Sequence, residues 1–140
     1  MQRDNAARLL WVLVIGHFII TAIHGAAHAG AQVPMSAAAN AFIILVIEVG
    51  PLAGLALSRS RPAPGGWLVA ATMAGALVFG VVNHFIIEAA DHVAHIEAGW
   101  RGLFTATAVL LTVTEAAGAA AGVLYAVRQG RARPSPRFVA

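Results

Sequence analysis

His24-Gly-Ala-Ala-His28 places two imidazoles one helical turn apart, close enough to share one ion. Glu88-x-x-x-His92 and Asp91-x-x-x-His95 repeat that spacing with mixed ligands. His84, Glu48 and Glu115 complete the set of groups that could do chemistry, with His17 one further histidine upstream. Imidazole nitrogen and carboxylate oxygen together suit a divalent transition metal: zinc, iron or manganese. The primary metal ligands expected are His24, His28, Glu48, His84, Glu88 and Glu115. His17, Asp91, His92 and His95 form a secondary set. No residue is assigned a catalytic role from sequence.

These groups sit in unusual surroundings. All six histidines and five of the six acidic residues lie in or just beyond long apolar runs; only Asp4 is an ordinary surface carboxylate. An ionisable group at a bilayer centre costs roughly 2.5–3.5 kcal/mol on insertion scales, so its presence implies a partner or a function. The 140-residue chain is 59% hydrophobic and 11% charged, with a mean hydropathy of +0.78. Four runs are long enough to cross a bilayer core of ~30 Å. They cover about residues 9–29, 40–58, 67–89 and 103–127. The predicted fold is therefore all-α: an integral membrane, antiparallel four-helix transmembrane bundle occupying residues 1–140 as one domain. The tail, 128–140, is rich in Arg, Pro and Gly and is expected to be disordered.

Arginine sets the orientation. There is no lysine, and the nine arginines fall at residues 3, 8, 59, 61, 101, 128, 131, 133 and 137. Eight of them lie on the side that holds both ends of the chain and the connection between the second and third runs; only Arg101 lies opposite. Positive residues favour the cytoplasmic face, so the expectation is a multi-pass cell-membrane protein with both termini cytoplasmic. Residues 1–30 also resemble a signal peptide, with Ala27-His28-Ala29 as a cleavage motif. The apolar stretch is longer than the usual 7–15 residues of such a region, and it contains His17. The pI of 11.1 follows from this topology and carries no nucleic-acid signal. Anionic lipid heads are the expected partners of the arginine-rich tail. Trp11, Trp67, Trp100 and Tyr125 lie near run ends, as interfacial aromatics do. The absence of cysteine excludes disulfides, thiolate metal sites and cysteine nucleophiles.

With the runs threaded alternately, His24, His28, Asn40, Glu48, His84, Glu88 and Glu115 all fall in the outer half. A helix turns ~100° per residue, so His17, His24 and His28 share a face within about 40°. His84, Glu88, Asp91 and His95 share one within about 60° if the third helix continues past Ala89. Both stripes should face the interior. Glu48-Val-Gly-Pro51 adds a proline that removes the hydrogen bond to the Ile47 carbonyl and is expected to kink the second helix. Gly118-x-x-x-Gly122 is a close-packing motif, read first as internal packing and second as a dimer contact.

A lone Glu on each of the second and fourth helices, and His-rich stripes on the first and third, resemble the carboxylate di-metal bundles in architecture. The chain departs from that scheme because it has no Glu-x-x-His. The functional expectation is a metal-binding membrane protein, with a lipid-soluble substrate if it is an enzyme. The alternatives are a proton or metal-ion transporter or channel component, a metal-free acid–base isomerase using His84 and Glu115, haem ligation by His17 with a histidine of the third helix, and a structural polar network. The lipid bilayer, a lipid-soluble small molecule and a second copy of the chain are the expected partners; nucleic acid is not.

Overall fold

The computed structural model describes residues 2–131, all helical apart from short connections. Helix α1 spans Gln2–Gly30, and Gln32 ends it with a left-handed φ of 54°. Helix α2, Ala37–Phe42, starts at Ser36, whose hydroxyl accepts from the Ala39 amide at 3.1 Å. A π-helical stretch, Ile43–Val49, leads into α3, Gly50–Ser60. Helix α4, Pro62–Val81, runs into a second π-helical stretch, Val82–Ile86. Helix α5, Ala98–Arg131, is the longest. These elements make four helical passages, each long and apolar enough to cross a membrane: Asn5–Gly30, Ala37–Ser60, Pro62–Ile86 and Ala98–Arg131.

Proline explains the first π-helical stretch. Pro51 occupies the first turn of α3, where its missing N–H costs little. It still cannot bond the Ile47 carbonyl and would crowd it. The chain widens to i→i+5 bonding just upstream, in an expanded helical stretch that carries Glu48. The second stretch ends when the Ile87 amide bonds the Val82 carbonyl at 2.8 Å, after which the backbone becomes extended. The third passage therefore stops at Ile86 and not at 89. Residues 87–97 form turns, and Glu88, Asp91, His92 and His95 leave the helical stripe expected for them. The helix of the fourth passage continues to Arg131, so the tail's first residues are ordered; 132–140 lie outside the described residues.

Packing forms a ring. α4 lies along α5, α3 along α4, α1 along α5, and α1 meets α3. Small residues allow the closest approaches. A side chain at Gly122 would reach within 2.8 Å of the Ala70 amide nitrogen, and one at Gly118 would strike Met73. The Gly118/Gly122 pair thus serves internal packing between α4 and α5. Gly54 meets Val69 and the Gly65 carbonyl in the same way.

Two apolar clusters bracket the interior. One joins Leu10, Val14, Leu55, Val69, Met73, Ala121 and Tyr125. The other joins Ala27, Ile96 and Phe104, with Val33, Val93 and Trp100 against it, so the 31–36 and 87–97 connections meet at one end, called the upper end below. Trp100 lies on Gly30 and helps to close that end. Between the clusters lies a polar layer: His17, Thr21, His24, His84, Thr107 and Glu115 are all buried. The outward surface is apolar, with Val12, Ile19, Leu45, Val78, Leu110 and Val113 each more than half exposed.

Candidate metal centre

α1 supplies His24 and His28 on one face, as their spacing requires, and the second π-helical stretch supplies His84 from across the bundle. One nitrogen of each ring lies within 4.8 Å of the other two, so these three could hold a single metal ion. His24 and His84 are buried and His28 is half-buried. Phe104, fully buried on α5, packs on all three rings at centroid distances of 4.6, 4.7 and 5.2 Å. An apolar wall of this kind limits water around a site and strengthens its electrostatics.

The hydrogen-bond partners assign the ring tautomers. The Thr107 hydroxyl donates to the carbonyls of Leu103 and Phe104, at 2.8 and 3.0 Å. With that proton on a carbonyl, the hydroxyl oxygen can accept from His24 Nδ1–H at 2.8 Å. His84 Nδ1 faces the Asp91 carbonyl oxygen at 3.1 Å, which can only accept, and the Asp91 carboxylate at 3.8 Å. In that arrangement both neutral rings carry their proton on Nδ1 and a lone pair on Nε2. The two Nε2 atoms face each other at 3.1 Å. Two lone pairs at that distance repel unless a proton or a metal cation lies between them. His28 adds a third unsatisfied group, since its Nδ1 is buried with no hydrogen-bond partner.

A second polar pair lies deeper. His17 Nε2 and Glu115 Oε1 are 3.2 Å apart, with side chains 1% and 4% exposed. Thr21 lies 3.4 Å from the same His17 nitrogen and donates to the His17 carbonyl at 2.9 Å. Between the pair and the histidine trio is a cavity of about 170 Å³. His24, His28, His84, Glu48 and Glu115 all line it, with Ile43, Ile47, Phe79 and Leu111 as its apolar wall.

The expected ligands therefore separate into distinct groups. His24, His28 and His84 come together. Glu48, half-buried on the first π-helical stretch, and Glu115 border the same cavity but stand outside the trio. Glu88 is exposed on the 87–97 connection, because the helix that was to turn it inward ends before it. His92 and His95 interact with each other and with local backbone: Ala94 donates its amide to His92, and His95 Nδ1 lies 2.8 Å from the Ala89 carbonyl oxygen. Asp91 is buried behind His84, where it orients the ring through its own main chain. His17, placed in the secondary set, is among the most buried side chains of the protein. The sequence places Thr105 and Thr107 together near the outer end of the fourth helix and does not single out Phe104. Thr107 is one of four threonines on α5, and nothing in the chain marks it as the one facing a histidine.

No known protein family, curated protein or solved structure matches this chain. Its function has to be argued from the site.

Proposed function

We propose that this protein is a multi-pass membrane metalloprotein that holds one transition-metal ion on His24, His28 and His84. The observation that carries the reading is the 3.1 Å approach of two Nε2 atoms whose other nitrogens are already committed to Thr107 and Asp91. Metal–nitrogen bonds of ~2.0–2.1 Å at a tetrahedral angle put ligand nitrogens ~3.3 Å apart, within a few tenths of that separation. Imidazoles bound to metal donate their second nitrogen to a hydroxyl, carbonyl or carboxylate in this way. A turn of the His28 ring, which no hydrogen bond holds at Nδ1, completes the trio.

Three nitrogen ligands leave a fourth position open, the arrangement of catalytic zinc sites. All three histidines line the cavity, so a fourth ligand would come from that space. A metal there would polarise an oxygen or lower the pKa of a bound water. Glu48 and the His17–Glu115 pair border the same space as proton acceptors. Zinc fits three imidazoles best, with iron and manganese as the other ions of suitable ligand preference.

The membrane reading rests on the four apolar passages and their apolar outward surface. Stepping back along α1 from His24 to His17 corresponds to stepping forward along α5 from Thr107 to Glu115, which supports an antiparallel bundle. With eight arginines on one side, both termini face the cytoplasm and the metal centre lies in the outer half.

Elemental analysis of detergent-purified protein tests this reading directly. About one equivalent of metal per chain is expected, lost in His84→Ala with helicity retained. Protein that purifies without metal and fails to take up zinc or cobalt would defeat it, and the polar layer would then act through protons alone.

A further inference from the structure

The upper end of the bundle is closed above the histidines. Val93 and Ile96 from the 87–97 segment and Trp100 from the first turn of α5 pack with Ala27, Phe104 and the end of α1. A molecule approaching from water along the bundle axis meets this plug. The side of the bundle differs. α1 packs on the second passage mainly along α3, in the lower half, whereas in the upper half the π-helical stretch carrying Glu48 packs mainly on α4.

The cavity lies between that stretch and α1. Its lining includes Gly25 on α1 and Asn40 on α2, both exposed, so it reaches the outer surface between these two helices. Gly25 also has nothing within 4 Å of where a Cβ would stand, so the slot beside it is open. The flanking surface is apolar: Phe18, two turns before Gly25 on the same face of α1, is 40% exposed, and Ile44, beside the cavity-lining Ile43, is 51% exposed.

From this geometry we infer that the molecule acted upon enters sideways, from the hydrocarbon phase of the membrane, through the slot between α1 and the α2–π-helical stretch. It is a lipid-soluble compound with a small, uncharged, oxygen-bearing head, such as an ester, aldehyde or alcohol, and a longer apolar remainder. The identity of the head rests on the metal centre proposed above. The size follows from the cavity. About 170 Å³ is close to the ~150 Å³ that holds a benzene molecule and well short of the 300–1,000 Å³ of pockets that enclose whole ligands. Only the reacting end fits; the rest stays among lipid chains. The charge follows from Glu48 and Glu115, because a carboxylate or phosphate head would enter against two acidic groups.

Photo-crosslinking in lipid nanodiscs tests the slot. The probe is a twelve-carbon primary alcohol with a diazirine beside the hydroxyl, compared with its four-carbon counterpart at equal aqueous concentration. The long probe should label Thr21, Ile43 and Ile47 several-fold more than the outward-facing Ile44 and Leu45, and the short probe should label them weakly. Gly25→Phe should reduce the cavity labelling about tenfold with metal content unchanged. Ile43→Trp, on the opposite lip, should do the same if the first variant misfolds. Gly16→Phe, also in open space but away from the cavity, should change nothing. Labelling spread evenly over the apolar surface in a metal-replete protein, or equal labelling by the short probe, overturns the lateral route and leaves the metal centre standing. Cavity-confined labelling in protein that binds no metal leaves the route standing and overturns the metal centre.

Discussion

Thr107→Val isolates the step on which the metal argument turns. The substitution keeps side-chain volume and β-branching on α5, and it removes the oxygen that accepts from His24 Nδ1–H at 2.8 Å. The hydroxyl's own bonds run to Leu103 and Phe104 within the same helix, so their loss costs α5 little. His24 then has two poor options. It can leave a buried N–H unpaired, at a cost of about 1–3 kcal/mol. Otherwise it moves the proton to Nε2, where it displaces the metal. Removal of such an outer partner typically lowers metal affinity by about 10- to 100-fold. That corresponds to about 1.4–2.8 kcal/mol, in agreement with the unpaired N–H. Competition of detergent-solubilised protein against a chromophoric zinc chelator at constant pH reads the affinity. Thr107→Ser should bind nearly as wild type. Thr112→Val should also bind normally, since Thr112 borders the cavity but its hydroxyl bonds only the Ala108 carbonyl. Wild-type affinity in Thr107→Val, or an equal loss in Thr112→Val, would refute the tautomer reasoning.

Further outcomes follow from the same geometry. Glu88→Gln and Glu115→Gln should retain metal by elemental analysis, because one side chain is exposed and the other is paired with His17, whereas His28→Ala should lose it. Metal retention should fall on acidification, measured by dialysis across a pH series, because protons compete with the ion for the three imidazoles and the bound form requires them unprotonated. Gly122→Val should destabilise the bundle by about 1–3 kcal/mol in thermal unfolding in detergent, because a side chain there meets the backbone of α4, while Gly16→Ala should be neutral or stabilising by about 0.5–1 kcal/mol. A C-terminal reporter that is active only in the cytoplasm should be active; activity only of an exported reporter would reverse the orientation assigned from the arginines.

Hydropathy alone located the four long apolar helices. Each apolar run is a local property of the chain, and a run of ~20 such residues has few other stable uses. The shared face of His24 and His28 was equally legible, because it depends only on helical period. The boundary of the third passage was not. Nothing local distinguishes residues 82–86 from a continuing α-helix, and the π-helical end that directs His84 inward sends Glu88 outward. The division of one expected six-ligand cluster into a histidine trio, a His17–Glu115 pair and a separate Glu48 belongs to the tertiary structure. It depends on which helix faces which, and those contacts join residues 60 to 98 positions apart in sequence. The choice of Thr107 among four threonines, and the lone pairs that Thr107 and Asp91 leave facing each other, arise only from those contacts. Burial makes them decisive, because in an interior without water each polar group must find its partner within the fold.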